Sequence, residues 1–175
     1  MTAARLDSDP APHAVLSAEL ARELCAETGL TVAELAQRLV PYAKQLARPV
    51  LSGFPVGAVA LGTSGALYYG ANLEFAGTAL PFTVHAEQSV TTNAWNHGEE
   101  GLPLLAVSAA PCGYCRQFLW ETAGAGAMEV HVGTAPATSL SPGLLPAPFG
   151  PRDLDVAAAL LTPQQVALTL DEPDD

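Results

Sequence analysis

Four short apolar runs, each bounded by Gly, Ser or Pro, constrain what this chain can fold into. Their length and partial alternation of apolar residues are typical of β-strands. The longer gaps between the last three runs carry helical periodicity, over Val84–Trp95 and Cys112–Thr122. A hairpin followed by strands joined through helices predicts an α/β fold, with a mixed central sheet between two helical layers. The four runs are VGAVALG (56–62), ALYYGANL (66–73), LLAVSAA (104–110) and MEVHVG (128–133).

A helical pattern precedes these strands, from about Leu16 to Leu46, and it is interrupted at Thr28-Gly29. Apolar residues recur there at spacings of three and four, which predicts two helices packed on one side of the sheet. The residues that carry the pattern are Leu20, Leu24, Val32, Leu35, Leu39 and Val40.

The chain divides by composition into four parts. Residues 1–13 lack periodicity and are predicted to be disordered, and 171–175 (DEPDD) form an acidic tail. The N-terminal helical segment is assigned to 14–47 and the main domain to 48–170. From Thr134 onward the pattern is ambiguous, and Val156–Leu161 and Gln164–Leu170 fit either a helix or a strand.

Length and charge exclude several classes of function. A chain of 175 residues with 49% hydrophobic residues suits one packed domain that associates with other copies. A net charge of −11 argues against nucleic-acid binding, which relies on clustered Lys and Arg. An uncharged small molecule is the better candidate ligand. No apolar stretch is long enough to span a bilayer, and the N-terminus does not resemble a signal peptide, so we expect a cytoplasmic protein without membrane contacts.

Two segments carry residues that suit a metal site, His85-Ala86-Glu87 and Pro111-Cys112-Gly113-Tyr114-Cys115. Catalytic zinc takes three protein ligands of the nitrogen and sulfur type and leaves one position open. One histidine and two cysteines form such a set, and both segments fall where a helix should begin. The positive end of a helix favours the thiolates that bind metal. The sequence therefore predicts one Zn²⁺ held by His85, Cys112 and Cys115.

Two alternatives for the cysteine pair remain open. A closed structural zinc site would need a fourth ligand, which could come from Cys25, His13, His97 or His131. A redox Cys-x-x-Cys motif is the other alternative, although it leaves Glu87 unexplained. Alone, Glu87 would be an ordinary first-turn acid; beside three ligands it can move protons to and from zinc-bound water.

Five motifs in the same order resemble cytidine deaminase, and the shorter pattern H-x-E…P-C-x-x-C is the signature of zinc deaminases. The resemblance covers roughly residues 50–154 and implies a three-layer α/β/α deaminase fold. It also implies hydrolysis of cytidine and deoxycytidine to uridine and deoxyuridine plus ammonia, as in pyrimidine salvage. In that reaction zinc-bound hydroxide attacks C4 of the ring while Glu87 shuttles protons. The motifs are SGFPVGAVA (52–60), GANLEF (70–75), TVHAEQS (83–89), PCGYCRQFL (111–119) and FGPRDL (149–154).

The resemblance also implies how substrate is bound. Phe54 would pack on the pyrimidine, although without the family an ordinary core aromatic would be the preferred interpretation. Asn72 and Glu74 would bind the ribose 3′-hydroxyl, where the residues alone allow a simple turn. The backbone of Ala86 and Ala110 would meet the edge of the base. Arg116 and Gln117 would orient the helix and the hydrogen bonds outside the metal shell.

Phe149 resembles a phenylalanine that reaches into the active site of a neighbouring subunit, which implies a homo-oligomer. The N-terminal helices, the histidine ligand and FGPRDL (149–154) are similar to the long bacterial and plant form of the family, whose second, degenerate domain this chain is too short to include. A homotetramer is therefore favoured over a dimer.

Other functions remain open within and outside the enzyme class. The same metal arrangement serves deaminases of blasticidin-type antibiotics, guanine, deoxycytidine nucleotides and transfer-RNA adenine. An inactive scaffold is the alternative from another class, and the intact set of His85, Glu87, Cys112 and Cys115 argues against it.

Overall fold

One mixed sheet of six strands organises the computed structural model, which describes residues 14–156 and 159–163. The strands lie side by side in the order β1-β3-β2-β4-β5-β6. Only β4 and β5 run parallel, and every other neighbouring pair is antiparallel. The strands are β1 (Val15–Leu16), β2 (Gly57–Leu61), β3 (Leu67–Ala71), β4 (Leu104–Val107), β5 (Glu129–Val132) and β6 (Thr138–Ser139).

Two capped helices precede the β2–β3 hairpin, α1 (Ala18–Thr28) and α2 (Val32–Gln45). The Ser17 side chain accepts a hydrogen bond from the Leu20 amide at the start of α1, and Thr31 forms a reciprocal capping box with Glu34 at the start of α2. Gly29 ends α1 in the left-handed conformation that glycine adopts without strain. These local signals explain why the helical pattern breaks at the predicted place.

Two further helices lie between strands, α3 (Ala86–Asn96) after β3 and α4 (Gly113–Trp120) after β4. No helix within the described residues combines the length and apolarity needed to cross a bilayer. Short helical turns occupy Leu80–Phe82, Ala125–Ala127, Leu140–Leu144 and Pro151–Leu154.

Successive strand residues face opposite sides of the sheet, and this alternation builds two cores. Val59 and Tyr69 pack with Leu35 and Leu39 of α2 on one side. Residues one position away pack with α3 and α4 on the other side, where Ala58, Ala60, Tyr68, Val90 and Leu119 form one cluster. The predicted three-layer α/β/α architecture is therefore confirmed.

Gly70 allows α3 to lie directly on β3. A methyl group at Gly70 would overlap the backbone nitrogen of Val90 and the carbonyl oxygen of Ala86. The close approach fixes the first turn of α3 against the centre of the sheet. The start of this helix is where the His-Ala-Glu segment lies.

The structure corrects several predicted boundaries. Leu16 belongs to the edge strand β1 rather than to a helix, because the chain there pairs with β3 before Ser17 begins α1. The third apolar run leaves the sheet after Val107, so 108–110 form a connection rather than part of the strand. Strand β6, two residues long, was not predicted.

Some predicted segments fall outside the described residues, namely 1–13, 164–170 and the tail 171–175. The predicted segment 156–161 is described only in part. Within it, Leu160 forms an isolated bridge with Thr122 and no helix is present among its described residues.

Candidate active site

His85, Cys112 and Cys115 come together where α3 and α4 begin. His85 and Cys112 are the residues immediately before the two helices, and Cys115 lies in the first turn of α4. The Nδ1 atom of His85 lies 3.2 Å from Sγ of Cys115 and 3.5 Å from Sγ of Cys112. All three donor atoms lie within 4.8 Å of one another. Zinc bonds of about 2.0–2.3 Å at tetrahedral angles place such ligand atoms about 3.5 Å apart, so the spacing fits one Zn²⁺.

The donor set has the open form expected of a catalytic site. Within 14–156 and 159–163, no fourth histidine, cysteine or acid has a donor atom within 4.8 Å of all three. His97 caps the far end of α3, and Cys25 is half-buried on α1. His131 contacts Gln37 of α2, on the other face of the sheet, while His13 is outside the described residues. The closed structural site therefore lacks its fourth ligand among the described residues.

The electrostatics of the cluster also fit a cation. Burial raises the pKa of the Cys115 thiol, and the neighbouring Glu87 and Cys112 raise it further. Two thiolates and a carboxylate this close repel one another unless a positive charge joins them. A divalent cation at the cluster reverses this balance and stabilises the thiolates.

The second ring nitrogen of His85 fixes which nitrogen faces the thiols. Its Nε2 atom lies 3.1 Å from the carbonyl oxygen of Leu80. A carbonyl oxygen only accepts hydrogen bonds, so Nε2 carries the proton and Nδ1 presents its lone pair to the two cysteines. Sequence reasoning missed Leu80, because a backbone acceptor leaves no signature in the residue type.

Glu87 occupies the first turn of α3 with 4% of its surface exposed. Its Oε2 atom accepts a hydrogen bond from the Cys115 thiol at 3.3 Å. A solvated first-turn acid would point to water, and this one points into the cluster. The carboxylate of Glu87 therefore lies beside the three donor atoms, as the sequence predicts.

A cavity of about 210 Å³ opens beside this cluster. Five of the six predicted substrate-binding residues line it, and so do His85, Cys112 and Glu87. Its lining contains no lysine or arginine. The lining residues are Ser52, Phe54, Val56, Asn72, Glu74, Leu80, Thr83, His85, Ala86, Glu87, Ala109, Ala110 and Cys112.

Glu74 anchors the loop that forms one wall of the cavity. Its carboxylate accepts hydrogen bonds from the Leu51 amide at 2.7 Å, from the Ser52 amide at 2.8 Å and from the Ser52 hydroxyl at 2.6 Å. A fourth, longer bond of 3.3 Å comes from Asn72. Burial opposes ionisation of Glu74, but these hydrogen bonds outweigh it and lower the pKa of the carboxyl group. Sequence reasoning missed Ser52, although it lies inside the motif at 52–60.

Asn72 holds the next part of the same loop. Its side chain donates to the carbonyl oxygen of Phe54 at 3.0 Å and accepts from the Val56 amide at 2.8 Å. The Phe54 ring itself is 58% exposed at the cavity, so it is not a core aromatic. Asn72 and Glu74 thus form a buried clamp that presents an exposed ring.

The remaining predicted residues lie around the start of α4. Arg116 donates to the carbonyl oxygens of Pro111 at 2.8 Å and Leu144 at 3.2 Å. Gln117 donates to the carbonyl oxygen of Phe149 at 2.6 Å. The Phe149 ring is 59% exposed and does not line the cavity of its own chain.

A mixed sheet between helical layers, with one histidine and two cysteines at two helix N-termini, defines the class of zinc-binding proteins with the deaminase fold. Residues 31–133 match the family described as the cytidine and deoxycytidylate deaminase zinc-binding region, and the chain belongs to this family. The family and the spacing of His85, Cys112 and Cys115 together identify a centre for one Zn²⁺.

Curated relatives and solved structures agree with this assignment. Cytidine deaminase of Shewanella pealeana is 46% identical over 97% of this chain and 56% of its own length. That of Shewanella amazonensis is 44% identical over 91% of this chain and 53% of its own length, so the chain spans about half of these relatives. Cytidine deaminase from Mycobacterium tuberculosis superposes with a TM-score of 0.60 at 29% identity, covering 67% of this chain and 96% of that one. The protein from Burkholderia pseudomallei gives 0.60 at 26%, with 69% and 100% covered.

Proposed function

We propose that the chain catalyses the hydrolytic deamination of cytidine and deoxycytidine to uridine and deoxyuridine, with release of ammonia. The observation that carries the proposal is the buried Glu87 carboxylate, 3.3 Å from Sγ of Cys115 and beside a three-donor zinc centre. The names of the relatives support the choice of substrate.

Glu87 is the proposed proton carrier. Zinc, when bound, supplies a Lewis acid that makes a water molecule nucleophilic near neutral pH. Glu87 takes the proton of that water and delivers a proton to N3 of the cytosine ring, while oxygen bonds to C4. Glu87 then moves the second proton to the exocyclic amine, the bond from C4 to nitrogen breaks, and ammonia leaves. Two thiolates offset most of the metal charge. The attack on C4 therefore depends more strongly on the protonation of N3 by Glu87.

The base is proposed to lie between Phe54 and the start of α3. The exposed Phe54 ring is positioned by the backbone hydrogen bonds of Phe54 to Ser52 and Asn72, so it can pack on a pyrimidine without reordering the loop. The backbone of Ala86 and of Ala110 lines the same cavity and can meet the polar edge of the base. Such polar contacts fix the orientation in which C4 faces the metal.

Asn72 and Glu74 are proposed to bind the ribose 3′-hydroxyl. The Glu74 carboxylate already accepts four hydrogen bonds, which is about the number its lone pairs allow. The bond from Asn72 is the longest of the four at 3.3 Å. We infer that the sugar hydroxyl inserts between Asn72 and Glu74 and replaces this bond.

The charge of the site favours a nucleoside over a nucleotide. The cavity lining includes the acids Glu74 and Glu87 and no lysine or arginine, so no basic side chain of the lining would pair with a phosphate. The net charge of −11 likewise opposes a nucleic-acid substrate. A cytosine nucleoside antibiotic of the blasticidin type is the rival within the same chemistry.

The assembly is proposed to be a homotetramer, with a dimer as the alternative. The Phe149 ring is exposed on its own chain, as expected of a side chain that completes a neighbour's active site. Residues 48–170 are proposed as the catalytic domain and 14–47 as the helical segment that covers its sheet. A role in pyrimidine salvage is proposed, in the cytoplasm. That compartment would keep Cys112 and Cys115 reduced.

One assay tests the activity and the substrate together. Purified protein of measured zinc content is mixed separately with cytidine, deoxycytidine, deoxycytidine 5′-monophosphate and blasticidin S, and the ultraviolet absorbance is followed. We expect turnover of the two nucleosides and little of the monophosphate. Activity on blasticidin S without activity on cytidine would show that the antibiotic, and not the nucleoside, is the substrate. A zinc-loaded protein inert toward all four would reject the proposed activity.

A further inference from the structure

The carbonyl oxygen of Leu80 accepts hydrogen bonds from other donors besides the His85 ring. The Thr83 hydroxyl donates to the same oxygen at 2.7 Å, and the Thr83 amide does so at 3.1 Å. His85 Nε2 is the third donor, also at 3.1 Å. One backbone acceptor therefore links the turn Leu80–Phe82 to the ring that faces the two cysteines.

The side chains of the turn do not anchor it in a core. The Leu80 side chain is 43% exposed and that of Phe82 is 80% exposed, so neither anchors the turn in a core. Thr83, in contrast, is 6% exposed and lines the cavity beside the cluster. Its hydroxyl makes the shortest of the three hydrogen bonds to the Leu80 carbonyl.

We propose that Thr83 is a positioning residue of the metal centre. Its hydroxyl group holds the Leu80 carbonyl at the place where that carbonyl orients the His85 ring and keeps the proton on Nε2. Thr83 is not one of the three metal donors, and it acts through Leu80. The inference rests on the zinc centre and deepens the proposed function without depending on the identity of the substrate.

The physical reason lies in the freedom of an imidazole ring. A ring held at Nε2 can direct the Nδ1 lone pair at one point, whereas a ring without that partner rotates and changes tautomer. Outer hydrogen bonds of this kind typically contribute about 10–100-fold to metal affinity. The valine side chain has nearly the shape of threonine and lacks the hydroxyl, so Thr83→Val removes the hydrogen bond with little change in packing.

The experiment measures zinc affinity by competition with a chelator for three variants, Thr83→Val, Thr83→Ser and Thr78→Val. Thr78 lies in the same connection as Leu80 and makes none of the three bonds to the Leu80 carbonyl. We expect Thr83→Val to weaken zinc binding by about tenfold or more, and Thr83→Ser and Thr78→Val to bind like the unchanged protein. Thermal unfolding of the metal-free proteins should be the same for all four.

Two results would overturn the inference. Zinc affinity unchanged in Thr83→Val is one; the other is a loss in Thr83→Val that Thr83→Ser shares, accompanied by a lower melting temperature without metal. Turnover of cytidine, measured on the same samples at full zinc loading, separates the two proposals. If Thr83→Val lowers zinc affinity tenfold but the unchanged protein does not deaminate cytidine, the role of Thr83 is supported and the proposed function is rejected. If the unchanged protein deaminates cytidine but Thr83→Val binds zinc equally well, the proposed function is supported and the role of Thr83 is rejected.

Discussion

Oε2 of Glu87, in the first turn of α3, lies 3.3 Å from Sγ of Cys115, in the first turn of α4. This contact brings the proposed acid–base group and a metal ligand together from two helices that start side by side. Under the proposed function, one residue moves protons and others hold the ion, so substitutions in the two groups should have different effects.

Replacement of Glu87 by glutamine should leave zinc in place and remove turnover. The amide is close in shape to the carboxylate but cannot accept and return protons, and loss of such a group typically costs about 10²–10⁴-fold in kcat. The measurement is kcat for cytidine together with zinc content. Glu100→Gln, at an exposed residue outside the cavity, is the matched control and should be fully active. Substantial activity in Glu87→Gln would exclude the proposed proton carrier.

Loss of a ligand should instead release the metal. We expect Cys112→Ala and His85→Ala to purify with little zinc, because two remaining donors do not complete a catalytic site. Cys25→Ala serves as the control, since this half-buried cysteine of α1 lies outside the cluster. Elemental analysis decides the matter, and one zinc per chain in both ligand variants would contradict the proposed set.

Truncation of Asn72 should raise KM more than it lowers kcat. Asn72→Ala removes the bonds to Phe54 and Val56 and so loosens the loop that carries the ring, while the metal centre is untouched. When a substitution weakens binding of the ground state and of the transition state equally, KM rises and kcat stays unchanged. Steady-state kinetics with cytidine test this, using Asn96→Ala at the exposed end of α3 as the comparison. A fall in kcat at constant KM would argue for a direct role in chemistry.

The buried carboxylate of Glu99 should make stability depend on pH. Burial disfavours its charged form, but hydrogen bonds from Ser64, Thr63 and the Glu100 amide outweigh this effect and lower the pKa. Because the folded pKa lies below the unfolded value of about 4.3, the stabilisation is complete above that pH and is lost as the pH falls through the folded pKa.

Glu99→Gln should therefore be less stable at pH 7, by about 1–3 kcal/mol, and should lose less stability than the unchanged protein on acidification. The free energy of unfolding in urea, measured at pH 7 and near pH 4, provides both comparisons. Equal pH dependence in the two proteins would show that Glu99 is not responsible.

Substitution of Gly70 on β3 should disturb the active site by displacing α3, whose first turn carries Glu87. A methyl group at this position meets the backbone of α3, which cannot give way as a flexible side chain would, and overpacking of this kind costs about 1–3 kcal/mol. Gly70→Ala should lower both the melting temperature and the activity. Gly126→Ala, where the nearest atom of Trp120 is 3.9 Å away, should change neither. A stable and active Gly70→Ala protein would mean that α3 can shift without cost.

Sequence reasoning was most successful where a repeated pattern or a motif carried the signal. The three- and four-residue spacing gave α1 and α2, and the apolar runs gave β2–β5 to within a few residues. Strand β1 and strand β6 are two residues long, too short to show any period. The position of β1 depends on pairing with β3, which is distant in sequence, and that of β6 depends on pairing with the preceding strand β5.

The metal cluster could be predicted because its side chains define the chemistry. The Leu80 carbonyl and the clamp of Asn72 and Glu74 on Leu51 and Ser52 could not, because backbone partners are invisible in residue types. The resemblance indicated Asn72 and Glu74 as ligands of the sugar, and it did not indicate that they also hold the wall of the cavity.

His85 and Cys112 are 27 residues apart in sequence, and zinc would connect them across the starts of two helices. A metal that binds only the folded chain stabilises it in proportion to the logarithm of free zinc over the dissociation constant. The ion would then act as a removable cross-link as well as a catalyst. Zinc supply would accordingly govern the lifetime of the protein against proteolysis, in addition to the rate at which each copy works.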